Sequence, residues 1–277
     1  MMARSRTAAV IALKPAEYAK SRLGVPDPLR RRLAWTMALD TLSALSRVMS
    51  RVLVVSDQPA LEARLRRAGL AVEVIAESGH VGMNPALGHG DRTLRAQGFA
   101  TVMACVGDLP ALRPDSVLRV LDASQPHPRS FVADASGVGT TMLVAHDVAL
   151  APHFQGRSAA AHHTSGAVSL SADDLGSPLA DARRDVDTEA DLLIAIGLGV
   201  GPATGALVDH ERDRLGHYEL ITATDHHDAD GDQLAVTASG RRIVLPAEAL
   251  GVDLRHARIG QRLHSVQVDG RVLSAWM

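Results

Sequence analysis

Three groups of charged residues have types and spacings that suit phosphate chemistry. Asp108 stands in Gly107-Asp108-Leu109-Pro110, directly after the apolar run Thr101 to Val106. A carboxylate at the carboxyl end of a central strand lies where an open α/β sheet binds its ligand; the same residues also make an ordinary turn, which Pro110 would enforce. In Arg184-Asp185-Val186-Asp187-Thr188 the two acids are two apart, so an extended backbone turns both to one side. Magnesium is commonly held by one or two carboxylates plus substrate phosphates. Acids here also suit the first turn of a following helix, with Asp187 or Thr188 as its cap. Taken with Asp108, the pair favours metal-assisted phosphoryl or nucleotidyl transfer.

The third group is marked by composition. Of 29 basic residues only Lys14 and Lys20 are lysine, and they lie six apart in Leu13-Lys14-Pro15-Ala16-Glu17-Tyr18-Ala19-Lys20-Ser21-Arg22-Leu23. A compact ammonium is not interchangeable with a guanidinium. The segment follows an apolar run directly and has no glycine, so it is neither a P-loop nor a dinucleotide fingerprint. Lys14, Lys20 and Arg22 could supply side-chain cations to a triphosphate in place of backbone amides. A solvated loop is the simpler reading of the same charges. Further on, Gly82-Met83-Asn84-Pro85 reads as a glycine turn entering a helix, with Asn84 as N-cap and Pro85 at N1. Gly82 and Asn84 could also let the backbone approach a purine edge.

These groups need elements to hold them. Apolar runs of strand length, Thr7 to Leu13, Arg51 to Ser56, Val72 to Ala76, Thr101 to Gly107 and Arg129 to Ala133, alternate with helically spaced segments at Leu29 to Leu45, Pro59 to Ala68, Asn84 to Gln97 and Pro114 to Leu121. This rhythm predicts an α/β domain with a mostly parallel sheet covered by helices. Thr188 and Asp191 predict a capping box opening a helix, which the Gly- and Pro-rich stretch 197–205 ends. Three regions follow: a large domain over 1–204, a linker over 205–215, and a module over 216–277. The last has short alternating runs at Tyr218 to Thr224, Leu234 to Thr237, Arg241 to Leu245, Gln261 to Val268 and Arg271 to Trp276. Turn dipeptides at 230, 239 and 269 join them into a small all-β barrel.

Composition excludes several classes. The 277 residues carry a formal net charge of −2, without the basic excess that phosphate-backbone binding requires. The single cysteine, Cys105, lies in an apolar run and reads as a structural thiol in a reducing compartment. The longest uncharged stretch, Leu192 to Val208, is 17 residues broken by glycines and Pro202, short of the roughly 20 needed to span a bilayer. A cytoplasmic protein is expected, with no membrane and no nucleic-acid partner.

Taken in order, Leu13-Lys14-Pro15, Ala19-Lys20-Ser21-Arg22-Leu23, Gly82-Met83-Asn84-Pro85-Ala86-Leu87, Gly107-Asp108-Leu109-Pro110-Ala111-Leu112, Gly139-Thr140-Thr141 and Arg184-Asp185-Val186-Asp187-Thr188 resemble the CofC/FbiD guanylyltransferases over about residues 7–204. The resemblance implies a three-layer nucleotidyltransferase sheet, GT-A-like and Rossmann-like. It implies an enzyme that joins GMP from GTP to 2-phospho-L-lactate or phosphoenolpyruvate, making the precursor of the deazaflavin coenzyme F-420, with the next enzyme of that pathway as a possible partner. It further implies Asp108, Asp185 and Asp187 as ligands of Mg2+, and Lys14, Lys20 and Arg22 in the altered nucleotidyltransferase signature loop, with Asp108 also catalytic. Thr140 and Ser158 match residues that hold the phosphorylated acid. The chain departs at Phe154-Gln155-Gly156-Arg157-Ser158, where the family tends to have Phe-Gly, so Gln155 replaces a glycine beside that acid. The alternatives are another nucleotidyltransferase of this fold, or a non-catalytic nucleotide-binding or adaptor protein acting through its barrel.

The barrel falls outside the core resemblance. Its strand order looks like an OB or cold-shock barrel, but from residue 206 on there are 8 arginines against 11 acidic residues, and the only aromatics are Tyr218 and Trp276. Single-strand binders of that class stack bases on aromatics in a basic groove. A structural or interaction module is therefore expected.

Overall fold

The apolar runs at 7–12, 51–55 and 101–105 become strands buried on both faces, as parallel strands covered by helices must be, whereas the run at 73–75 is a half-buried edge strand. The computed structural model describes residues 6–15, 20, 23, 25–80, 82–211, 217–226, 230–250, 254, 256–268 and 271–277. In chain order the elements of the first unit are β1 (Thr7–Ala12), α1 (Asp27–Ser46), β2 (Arg51–Val55), α2 (Leu61–Arg67), β3 (Glu73–Ile75), α3 (Met83–Ala96), β4 (Thr101–Cys105), α4 (Pro114–Ser124), β5 (Arg129–Ala133), β6 (Thr140–His146), α5 (Ser158–Thr164), β7 (Val168–Ser169), α6 (Ala180–Arg183), α7 (Glu189–Leu198) and α8 (Pro202–His210). They form a seven-stranded mixed sheet in the order β3-β2-β1-β4-β6-β5-β7. Strands β3, β2, β1 and β4 are mutually parallel, and β6 is antiparallel to both β4 and β5.

Alternate residues of one strand feed opposite layers. Ala9 and Ile11 of β1 pack with α1, α2, α4 and α6, whereas Ala8 and Val10 pack with α3 and α5. Gly90 brings α3 onto the sheet, since a β-carbon there would fall inside the Val10 side chain. Asp91, one residue on, is buried and accepts from the backbone N–H of Leu150 at 3.0 Å and from Arg95 at 2.9 Å. The capping box of α7 forms as the sequence predicts, with Thr188 and Asp191 each accepting from the other's backbone N–H.

Two expectations change. Residues 205–210 of the expected 205–215 linker are helical, because they continue α8, which Asp40 of α1 caps from outside by receiving the backbone N–H groups of Ala203 and Thr204 at 3.0 and 2.8 Å. Asn84 is not an N-cap: α3 begins at Met83, with Gly82 at the cap position and a φ of 103° that only glycine adopts readily. Among the described residues no single helix is long and apolar enough to cross a membrane.

The chain forms two compact units, residues 1–207 and 208–277. The second unit contains β8 (His217–Ala223), β9 (Gln233–Thr237), β10 (Arg242–Leu245), β11 (Arg262–Val268) and β12 (Arg271–Trp276). They pair antiparallel in the order β10-β9-β8-β11-β12, and a bridge from Leu250 to Ala275 helps draw the ends together into a nearly closed small barrel. Ile221, Ala235, Leu245, Leu263 and Ala275 fill its interior. Gln233, buried, holds the incoming loop by donating to Ala257 O and accepting from Ala257 N.

Candidate active site

The loop after β4 is fixed from three directions. Leu109 N donates to Thr41 Oγ1 of α1 at 3.0 Å, Gly201 N donates to Pro110 O at 2.8 Å, and Val186 N donates to Asp108 O at 3.2 Å. That last bond, with Val186 buried on the opposite side, brings the segment of Asp185 and Asp187 to Asp108. Gly107 lets the end of β4 lie close against the end of β1, since a β-carbon there would press on Leu13.

Lys20 completes the cluster across 88 and 167 residues of sequence. Its ammonium is bonded to Asp108 Oδ2 and lies 2.8 Å from Asp187 Oδ1, with the backbone in the left-handed region at φ 59°. Burial works against that charge, but Asp108 and Asp187 more than offset it and hold the lysine protonated well above its usual range. Lys14 is exposed at the rim of the same cavity. Two groups at the end of β2 anchor the start of its loop: Ser56 Oγ donates to Leu13 O at 2.6 Å, and Gln58 Nε2 donates to Lys14 O at 3.1 Å. Arg22 lies outside the described residues.

The cluster is short of positive charge. Asp185 is pushed up to about 7, by burial first and then by Asp108, Asp187 and Asp134, against the weaker pull of Lys20. Asp108 Oδ1 is buried and, among the described residues, has no hydrogen-bond partner. An orphaned carboxylate oxygen beside a carboxyl that resists ionisation forms an all-oxygen set suited to a hard divalent cation. Among the described residues no three acidic, His or Cys side chains already converge as a metal site, and the Lys20 ammonium bridges Asp108 and Asp187.

Beside these groups opens a cavity of about 350 Å³, walled by Leu13, Trp35, Leu61 and Met83 and edged by Lys14, Lys20, Arg64, Asp108 and Asp187. The Arg64 guanidinium lies 4.2 Å over the Trp35 ring, a cation–π contact that fixes one wall. Sequence reading missed Trp35, Arg64, Ser56 and Gln58, which carry no spacing signal. Cys105 is buried, burial pushes its thiol up, and its Sγ donates to Val106 O at 3.3 Å, as suits a structural residue.

Thr140 and Ser158 come to the same end of the sheet. Because β6 runs against β4, pairing Met142 with Cys105, its first residues lie at the carboxyl end of β4, where Thr141 O accepts from Val106 N at 3.0 Å. Thr140 and Ser158 are both buried, and Thr140 Oγ1 is 3.0 Å from His162 Nδ1. Gln155 is exposed at φ 87°, a conformation that favours glycine. Asn84 reaches this segment: its side chain accepts from Phe154 N at 2.7 Å and donates to Phe154 O at 2.9 Å. It therefore clamps the 150–158 loop from α3, and its amide is engaged there rather than at a cap.

Residues 7–204 match the family model described as "Guanylyl transferase CofC like". The chain belongs to this family. Relatives named phosphoenolpyruvate guanylyltransferase include those of Thermomonospora curvata, 42% identical over 72% of this chain and 86% of that one, and Streptomyces coelicolor, 43% identical over 72% and 93%. The match to the relative of the same name in Frankia casuarinae extends over 83% of this chain and 85% of that one at 37% identity. Among solved structures, a Desulfovibrio desulfuricans protein classed with nucleotide-diphospho-sugar transferases superposes with a TM-score of 0.57 at 15% identity, covering 76% of this chain and 96% of that one. That likeness concerns the fold: the CofC-like domain is a nucleotidyltransferase-type α/β sheet.

Proposed function

We propose that this CofC-like chain transfers GMP from GTP to phosphoenolpyruvate, releasing pyrophosphate and forming the activated precursor of the deazaflavin coenzyme. The observation that carries the reading is the Lys20 ammonium held between Asp108 and Asp187 at the edge of the cavity. The family assignment and the relatives' shared name support guanine and phosphoenolpyruvate as the substrates.

In the reaction a phosphate oxygen of the acceptor forms a bond to the α-phosphorus of GTP, and the bond from that phosphorus to the bridging oxygen breaks. The electron pair leaves with pyrophosphate. The nucleophile is already an anion, so no side chain need remove a proton. The difficulty is repulsion between anions, and positioning with charge neutralisation dominates the catalysis of such transfers. Lys14, Lys20 and Arg22 supply cations to the triphosphate, and Gly82 leaves room for the nucleotide at the mouth of α3. Asp108, Asp185 and Asp187 would hold a magnesium ion, which when bound supplies Lewis-acid neutralisation of the phosphates. Thr140 and Ser158 hold the phosphorylated acid, with Gln155 at its edge.

Asp108→Ala tests the reading. Pyrophosphate release from GTP plus phosphoenolpyruvate is expected to disappear while the thermal transition persists; near-normal turnover rejects the assignment. Running wild type against the four nucleoside triphosphates, with phosphoenolpyruvate, 2-phospho-L-lactate and 3-phosphoglycerate as acceptors, separates this reaction from that of another nucleotidyltransferase.

A further inference from the structure

His162 is fully buried on α5, four residues after Ser158, and both of its ring nitrogens are engaged. Nε2 lies 2.8 Å from the backbone nitrogen of His153, and Nδ1 lies 3.0 Å from Thr140 Oγ1. A backbone N–H can only donate, so Nε2 must be the acceptor. A neutral imidazole carries one proton, which therefore sits on Nδ1. The Thr140 hydroxyl thus accepts from the ring and cannot donate to it. Among the described residues no other protein group takes the Thr140 proton.

We infer that His162 is a positioning residue for the acceptor: by donating from Nδ1 to Thr140 Oγ1 it turns the Thr140 hydroxyl proton outward, to donate to an oxygen of the phosphorylated acid. The inference rests on the reading that Thr140 touches that acid. The surroundings keep the ring in the required state. Phe131 and Phe154 pack against it with ring centroids 5.7 and 5.1 Å away, and Asn84 fixes the Phe154 backbone. Burial, then the nearby His153 and Arg129, push His162 down to about 4, against a weaker opposing pull from the Ser158 backbone. The ring is therefore neutral throughout the range in which phosphoryl-transfer enzymes are assayed. A doubly protonated ring would lose its bond from His153 N, and a ring with its proton on Nε2 would turn the Thr140 proton inward. A buried hydroxyl whose donor direction is fixed recognises an anionic oxygen at little further entropic cost.

A double-mutant cycle on the full chain tests this, read as KM for phosphoenolpyruvate and for GTP separately. Thr140→Val and His162→Phe are each expected to raise KM for phosphoenolpyruvate about tenfold or more, with KM for GTP unchanged. His162→Phe should add little in the Thr140→Val background, because its route to substrate is already gone. His162→Asn, which keeps a donor near the Nδ1 position, should recover most of the loss. If Thr140→Val leaves KM for phosphoenolpyruvate unchanged, the placement of the acceptor at Thr140 fails. If Thr140→Val raises it but His162→Phe has the same effect in both backgrounds, the placement stands and the orienting role is refuted. A His162→Asn protein that melts like wild type yet behaves like His162→Phe also refutes that role.

Discussion

Removing one negative charge from the carboxylate cluster should stabilise the metal-free protein. Asp185 ionises near 7 in the folded state against 3.8 for an ordinary aspartate, so the folded protein retains a proton that the unfolded chain has released. The sign follows: stability is unaffected below about pH 4, falls as pH rises through the window from about 4 to 7, and stays reduced above it. A step of some three pH units at 1.36 kcal/mol per unit sets a ceiling of about 4 kcal/mol. Asp185 is only partly buried, and solvent screening brings the expectation to about 2 kcal/mol. Asp185→Asn keeps the size and removes the charge. Urea unfolding of wild type and Asp185→Asn in a chelator, at pH 4, 5, 6, 7 and 8, should show the variant gaining on wild type by about 2 kcal/mol across the series. Added magnesium at pH 8 should restore wild type and do much less for the variant, since a cation that binds only the folded form stabilises it by mass action. Parallel pH profiles for the two proteins would show that the cluster carries no electrostatic penalty, and the argument for a cation at this place would fall with it.

Three further substitutions probe the frame around the cluster. Lys20→Arg keeps the charge, but a planar fork does not fit the two-carboxylate contact of a compact ammonium, so turnover should fall at least tenfold with the melting temperature nearly unchanged. Asn84→Ala should cost about 1–3 kcal/mol in urea unfolding, because it leaves a partly buried backbone N–H and C=O at Phe154 unpaired, and it should raise KM for the acceptor more than for GTP. Gly90→Ala forces α3 off β1 and should destabilise by about 1–3 kcal/mol, seen as a lowered denaturation midpoint; a neutral result would mean that α3 shifts freely.

The parts of the fold that could be read from sequence are those whose pattern is local. Strands β1, β2, β4 and β5 announce themselves as apolar runs flanked by helical spacing, and the barrel strands by alternation between turn dipeptides. Strand β6 escaped although Thr140 to His146 is apolar, because it follows β5 through a short turn with no helix between, outside the β-α rhythm. Strand β7 has two residues, too few for any period. At the site, Asp185 and Asp187 could be paired from their spacing, and Asp108 placed from its strand. The contact of Lys20 with Asp108, the clamp from Asn84 to Phe154 and the bond from His162 to Thr140 join residues 88, 70 and 22 positions apart. Nothing in local sequence fixes such contacts; they follow from strand order and direction. The Asn-Pro pair in α3 suggested a cap, but Gly82 takes the cap position two residues earlier and frees the Asn84 amide for its clamp.

The scarcity of lysine gives the protein an unusual chemical address. Side-chain amines occur only at Lys14 and Lys20, and both border one cavity. Lys20 is held protonated between two carboxylates and offers no free electron pair, whereas Lys14 is exposed at the rim. An acetyl donor, an amine-reactive dye or a cross-linker that modifies a lysine side chain of this chain therefore does so at the border of this cavity. Labelling becomes a footprint: the extent of modification reports directly whether nucleotide covers the rim.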